Sequence, residues 1–189
     1  MQKNYLFIII LASLTWSPVF SSSELDVKIS IDIDFVDVKH KGKIVRIQRK
    51  QSSENTINPL YSKTSRRCPP FCIQPGKLAE GVETIGELEI LDYLVRKSNG
   101  DNSILVIDSR TDGWVENGTI PGTINIPWVM LKQDVGADPF QIADILEDEF
   151  GAVSIEGLWD FSNAKTLIMF CNGQWCGQSP SNIKTLLWF

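Results

Sequence analysis

Histidine is nearly missing from this chain: His40 is the only one. No histidine or second cysteine pair with zinc spacing therefore accompanies Cys68 and Cys72, which argues against a metal centre, and nothing in the sequence calls for a cofactor. Positive charge is in the minority, with 18 Lys and Arg against 23 Asp and Glu and a net charge of −5. An acidic protein of this kind carries no general footprint for nucleic acid. Long apolar runs are missing beyond the N-terminus. The one candidate, residues 6–16 with Ile8, Ile9, Ile10 and Leu11, is shorter than the ~20 residues a membrane span needs. Lys3 precedes it and Ser21, Ser22 and Ser23 follow, so residues 1–23 read as a secretory signal peptide, with an uncleaved anchor as the alternative. No cysteine follows the run to carry a lipid, and no stable membrane span is expected after cleavage. The protein is then exported: periplasmic if it comes from a Gram-negative bacterium, otherwise secreted.

What is present fits one globular domain with an N-terminal extension, at 43% hydrophobic and 22% charged residues. Export places Cys68, Cys72, Cys171 and Cys176 in an oxidising compartment. Four cysteines allow three full pairings, and the sequence does not choose among them. In Cys68-Pro69-Pro70-Phe71-Cys72 the prolines favour extended backbone. Fully extended as polyproline, the two cysteines stand roughly 12 Å apart, against the ~7 Å limit for a disulfide. They bridge each other only if the chain turns at Pro70-Phe71.

In the extension, Val27, Ile29, Ile31, Ile33 and Phe35 alternate with polar residues and predict a half-buried strand. A turn over residues 39–43 and a returning strand over 44–47 complete a β-hairpin. Lys39, Lys41, Lys43, Arg46, Arg49 and Lys50, then Lys63, Arg66 and Arg67, make this region basic. That is either a docking face for an acidic protein partner or anionic surface, or a solvated edge whose lysines discourage strand pairing. Residues 51–65 read as an irregular loop.

From Gly81 the pattern becomes α/β. Thr84 and Glu87 suggest a capping box, followed by a helical face of Ile85, Leu88, Leu91, Leu94 and Val95. Ile104, Leu105, Val106 and Ile107 form a continuous apolar run ending in Asp108-Ser109-Arg110, as in a parallel strand buried on both faces. Residues 118–127 read as a turn and short strand. Residues 140–150 read as a helix with Ile142, Ile145, Leu146 and Phe150 inward. A second apolar run, Leu167 to Phe170, delivers Cys171 to a loop of Asn172, Gly173, Gln174, Trp175, Cys176, Gly177 and Gln178. Ser179 as N-cap and Pro180 as first helical residue then open a helix. Loop amides and a helix dipole favour thiolate at Cys171; the alternative is a structural cysteine at a strand end. Strands alternating with helices predict an α/β sandwich with a mainly parallel sheet, with ligands at the carboxyl ends of the strands, where Arg110 and Cys171 fall. Trp175 either walls the site or packs on the core.

These residues resemble the rhodanese family. Its signatures are a strand ending Asp-x-Arg, here Asp108-Ser109-Arg110; the run Gly-His-Ile-Pro-Gly-Ala-x-Asn-x-Pro, here residues 118–127 with Thr119 in the His place; and a strand ending in the active-site cysteine, here Cys171. The resemblance covers about residues 79–189, leaving 24–78 as the extension. It implies that Cys171 takes sulfur from a small donor, thiosulfate or a polysulfide, as a persulfide and passes it to a thiol or a cyanide-like acceptor. It implies neither cofactor nor metal, and it makes Asp108 and Arg110 supports of the site. The family's usual loop cation is replaced here by neutral residues, the next cation being Lys184. Phosphatases of this fold need an Arg where Gly177 stands, which excludes that activity. Cys176 is a candidate resolving cysteine. Family members continue with another strand and helix, so the C-terminal strand and helix are expected to be missing here. Two further readings stand beside the sulfurtransferase: a thiol–disulfide redox protein using Cys171 and Cys176, and a non-catalytic rhodanese-fold binding module.

Overall fold

A computed structural model describes residues 25–189; the expected signal peptide lies outside them. Two strands, β1 (Phe35–His40) and β2 (Lys43–Gln48), form an antiparallel hairpin. Helix α1 (Glu87–Ser98), strand β3 (Ile104–Asp108), short helix α2 (Asp112–Val115) and strand β4 (Ile124–Asn125) follow. Then come α3 (Pro139–Asp144), continued by a π-helical turn Ile145–Glu149, a small hairpin β5 (Val153–Ile155) and β6 (Leu158–Asp160), strand β7 (Thr166–Phe170) and helix α4 (Gln178–Leu186).

The central sheet is parallel with strand order β4-β3-β7. All five residues of β3 are buried, because its side chains feed two cores alternately. Ile104 and Val106 meet Val38, Leu91, Leu94 and Ile168 on one face. Leu105 and Ile107 meet Ile142, Ile145, Leu146 and Phe150 on the other. The N-terminal hairpin thus belongs to the packed structure: Val38 is fully buried beneath α1. The amide of Lys39 donates to Ser98 Oγ at 2.9 Å. Gly122 lets the signature turn approach this hairpin. Its φ is +90°, and a Cβ there would stand 3.0 Å from Leu94 Cδ2. Strand β7 lies at the edge of the sheet, beside an apolar groove of about 550 Å³ lined by Ile85, Tyr93, Leu167, Met169, Ile183 and Leu187. Among the described residues no helix is long and apolar enough to cross a membrane.

Several local expectations are corrected. The first hairpin strand is Phe35–His40, not 27–35: Ser30 and Ile33 bridge each other across a tight turn, leaving Ile31 exposed. The turn is only Lys41 and Gly42, both at positive φ (48° and 78°), the two-residue geometry that suits hairpin twist. Helix α1 starts at Glu87 rather than behind Thr84, and Glu89 Oε2 accepts from the Gly86 amide at 3.0 Å. Leu88 consequently faces solvent, and Leu91 and Leu94 carry the buried stripe. The chain turns over residues 68–71, which include the expected Pro70-Phe71, and the turn is closed by Phe71 N–H to Arg67 O at 3.3 Å. Cys68 and Cys72 are joined as a disulfide with Cα atoms 4.5 Å apart, so the extended polyproline geometry does not apply. The peptide bonds into Pro69 and Pro70 are cis. Helix α4 begins at Gln178 with Gly177 as its cap, which puts Ser179 and Pro180 inside the first turn.

Candidate active site

The site follows from sheet register. Asp108 of β3 stands level with Phe170 of β7 and Asn125 of β4. Ser109 and Cys171 therefore leave the sheet together, with Ser109 N–H donating to Phe170 O at 3.0 Å. Asp108 is buried and holds the neighbouring loops. Its carboxylate accepts from Arg110 Nε at 2.8 Å and Nη2 at 2.6 Å, from the Arg110 amide at 3.1 Å and from Thr119 Oγ1 at 2.7 Å. The carboxylate in turn pushes the Arg110 guanidinium pKa up. Arg110 spends its other donors on Gly118 O at 2.8 Å and on Asn172 Oδ1 at 3.1 Å. Arg110 is itself buried and links the signature turn to the cysteine loop. Asn125 Nδ2 binds the carbonyls of Asp108 and Arg110, both at 2.8 Å. Asn182 Nδ2 of α4 donates to Ser109 Oγ at 3.1 Å, which ties the helix after the loop to the same strand end.

Cys171 is a free, half-buried thiol and Cys176 a free, buried one. Ser179 Oγ donates to Cys171 Sγ at 3.2 Å. The Cys171 pKa is lowered to about 6, first by the Cys176 thiol as donor, against the opposing effect of burial, and then by the hydroxyl and amide of Ser179 and the amide of Gly173. Cys176 moves the other way: the adjacent Cys171 and burial both push its pKa up, so it stays protonated. Gly173 at φ +136° allows the loop to turn its amide inward. Cys171 thus has neutral donors for its thiolate form and, as a thiol, the Cys176 carbonyl at 3.5 Å to donate to. Among the described residues no three His, Cys, Asp or Glu side chains gather as a metal site would require.

The loop is also held from outside. Trp175 is buried, yet it packs on the N-terminal extension rather than on either sheet core. Its Nε1 donates to Lys63 O at 3.3 Å, the Arg66 guanidinium lies 4.6 Å over its ring, and Phe71 meets it edge-on at 6.4 Å. The Gln74 amide donates to Gln174 O at 2.7 Å. The disulfide-closed turn therefore clamps the loop that carries Cys171. Gly173, Gln174 and Gly177 form the loop's exposed rim, and Gln178 Oε1 lies 3.6 Å from Cys176 Sγ, where it competes with Cys171 for the single S–H.

All the expected site residues, Asp108, Arg110, Cys171, Cys176 and the loop, converge. Sequence reasoning missed Ser179, read as a cap, and Thr119, Asn125 and Asn182 as hydrogen-bonding supports. Ser179 was findable: it follows the cysteine by eight residues, where a first-turn side chain can face back to the loop. The clamp by Arg66 and Phe71 leaves no local signal, because it joins residues a hundred positions apart.

A parallel sheet with a depressed-pKa cysteine at one strand end and an Asp–Arg pair at the next defines a thiol-loop α/β domain. The chain belongs to the rhodanese-like domain family, whose model matches residues 91–187, just over half its length. No curated protein and no solved structure matches the chain significantly.

Proposed function

We propose that the protein is a sulfurtransferase or sulfur carrier with Cys171 as nucleophile. The observation that carries this reading is the half-accessible Cys171 thiol with a pKa near 6, ringed by the donors of Cys176, Ser179 and Gly173. Near neutral pH such a thiol is largely thiolate, the form that attacks sulfur. The thiolate attacks the outer sulfur of thiosulfate or of a polysulfide. The donor S–S bond breaks, and its electron pair leaves with sulfite or the shortened polysulfide. The product is a Cys171 persulfide anion, which the same amides and hydroxyl stabilise. A thiolate or cyanide then takes the terminal sulfur, and Cys171 returns as thiolate. Asp108 and Arg110 position the loop and take no part in bond making. A singly charged hydropolysulfide is the better donor for this loop, since no cation lies among residues 172–178 to neutralise the two charges of thiosulfate. The Cys68–Cys72 disulfide supports placement in an oxidising, exported compartment.

A second reading is favoured by one observation, two free cysteines in one loop with Cys171 Sγ 3.5 Å from the Cys176 carbonyl. Cys176 attacks the Cys171 sulfur of the persulfide, forms a disulfide and releases sulfide. Its raised pKa makes it a poor attacker, so we assign Cys176 as hydrogen-bond donor to the thiolate. Turnover separates the readings. The protein-dependent part of sulfur transfer from polysulfide to cyanide, read as thiocyanate formed above the uncatalysed reaction of the two, is expected to vanish in Cys171→Ser and to persist at reduced rate in Cys176→Ser. Sulfide release that depends on Cys176, with no thiocyanate formed, would overturn the transfer reading.

A further inference from the structure

A second pocket lies outside the cysteine loop, on the face where the N-terminal hairpin meets the end of α1 and the signature turn. It encloses about 370 Å³ and is lined by Lys39, His40 and Lys41 from the hairpin, Lys97 from α1, and Thr119 and Asn125 from the turn, among others. That volume falls in the lower part of the range for small-molecule sites. Three lysines line it, and no acidic residue does. None of the three takes part in any ion pair among the described residues.

Two ordinary explanations cover part of this cluster. Exposed lysines on a hairpin discourage edge pairing, and a cation in the last turn of α1 suits the helix dipole. Neither explains why Lys97 is half-buried with a carbonyl as its only partner. Its Nζ donates to Gly122 O at 2.7 Å, which leaves two of its three N–H groups free. Burial lowers its pKa, and Lys165 adds repulsion that Glu149 only partly opposes. His40 also lines the pocket and is fixed to the same turn. Its Nδ1 accepts from the Gly122 amide at 3.0 Å, so the ring proton sits on Nε2. Three cations and a histidine thus line one cavity whose lining holds no carboxylate.

We propose that this pocket is a binding site for a small oxyanion of two or more negative charges, of the phosphate or sulfate type, held by Lys39, Lys41, Lys97 and His40. Cys171 does not line it, so the site stands whether or not the cysteine carries sulfur. Titration of the full, isotope-labelled chain with inorganic phosphate and with pyrophosphate, at constant ionic strength set by chloride, tests it. Saturable shifts are expected at the Gly122 amide and the His40 ring, and Cys171→Ser leaves them unchanged. The pair Lys39→Gln and Lys41→Asn removes two exposed charges, and Asn tolerates the left-handed backbone at position 41. It is expected to weaken binding roughly tenfold while the remaining amide spectrum superimposes on that of the parent. Lys97→Gln is expected to abolish the Gly122 response. Shifts that grow linearly without saturation, or saturable binding that the paired substitution leaves intact, would overturn the proposal.

Discussion

Cys171 owes its chemistry to neighbours rather than to its own surroundings of carbon and sulfur. Burial alone raises a thiol's pKa, and the donors of Cys176, Ser179 and Gly173 reverse that effect. Alkylation of reduced Cys171 by iodoacetamide is therefore expected to rise with pH along a curve centred near 6. Below that value the thiol predominates and the reaction slows; above it the thiolate fraction levels off. Ser179→Ala removes one charge-assisted hydrogen bond, so the midpoint moves up by about one pH unit. An unshifted curve would show that the hydroxyl contributes nothing. Arg110 tests the other half of the site. Arg110→Met strands the buried Asp108 carboxylate and is expected to destabilise the fold by about 3–5 kcal/mol in urea denaturation. A loss below ~1 kcal/mol, the level of an exposed pair, would contradict the burial argument.

At the scale of elements, the loop after β7 is fixed from two sides. Asn172 is held by Arg110 from within the sheet, and Trp175 is held by Arg66 and Phe71 from the disulfide-closed turn. Opening that turn with Cys68→Ser and Cys72→Ser is expected to slow Cys171 alkylation at pH 6–7 severalfold by letting the donors drift, with a change in tryptophan emission. Unchanged rates and emission would mean that the clamp does not position the loop. The elements themselves differ in how plainly the sequence announces them. β3 was legible because a strand buried on both faces needs an unbroken apolar run, and Ile104 to Ile107 supply it. The β7–Cys171–loop–α4 unit was legible from its apolar run and the glycine-containing loop that follows, although β7 is an edge strand with only Ile168 buried. The cap of α1 was not, since Thr84 with Glu87 and Gly86 with Glu89 offer the same spacing and only packing chooses. The hairpin strand was misplaced because apolar alternation runs unbroken from Val27 to Phe35 and nothing local marks the turn at residues 31–32. The small hairpin β5–β6 went unseen: three residues per strand, mostly exposed, leave no period to read.

At the scale of the molecule, residues outside the family match complete the structure of those inside it. The match covers residues 91–187, yet Val38 fills the core beneath α1, His40 holds the signature turn and residues 63–74 hold the cysteine loop. Site residues were legible as motifs, because a chemical group at a strand end survives any change in packing. Long-range partners such as Arg66 were not, because contact between distant segments is a property of the assembled fold. The central claim is that this assembly makes Cys171 an acceptor of sulfur. It is tested most directly by incubating the reduced protein with polysulfide and, separately, with thiosulfate, then weighing its peptides by mass spectrometry. The account predicts one added sulfur atom on the Cys171 peptide, loaded more readily from polysulfide and absent in Cys171→Ser. A Cys171 peptide that gains no sulfur from either donor, while remaining a free and alkylatable thiol, would contradict it.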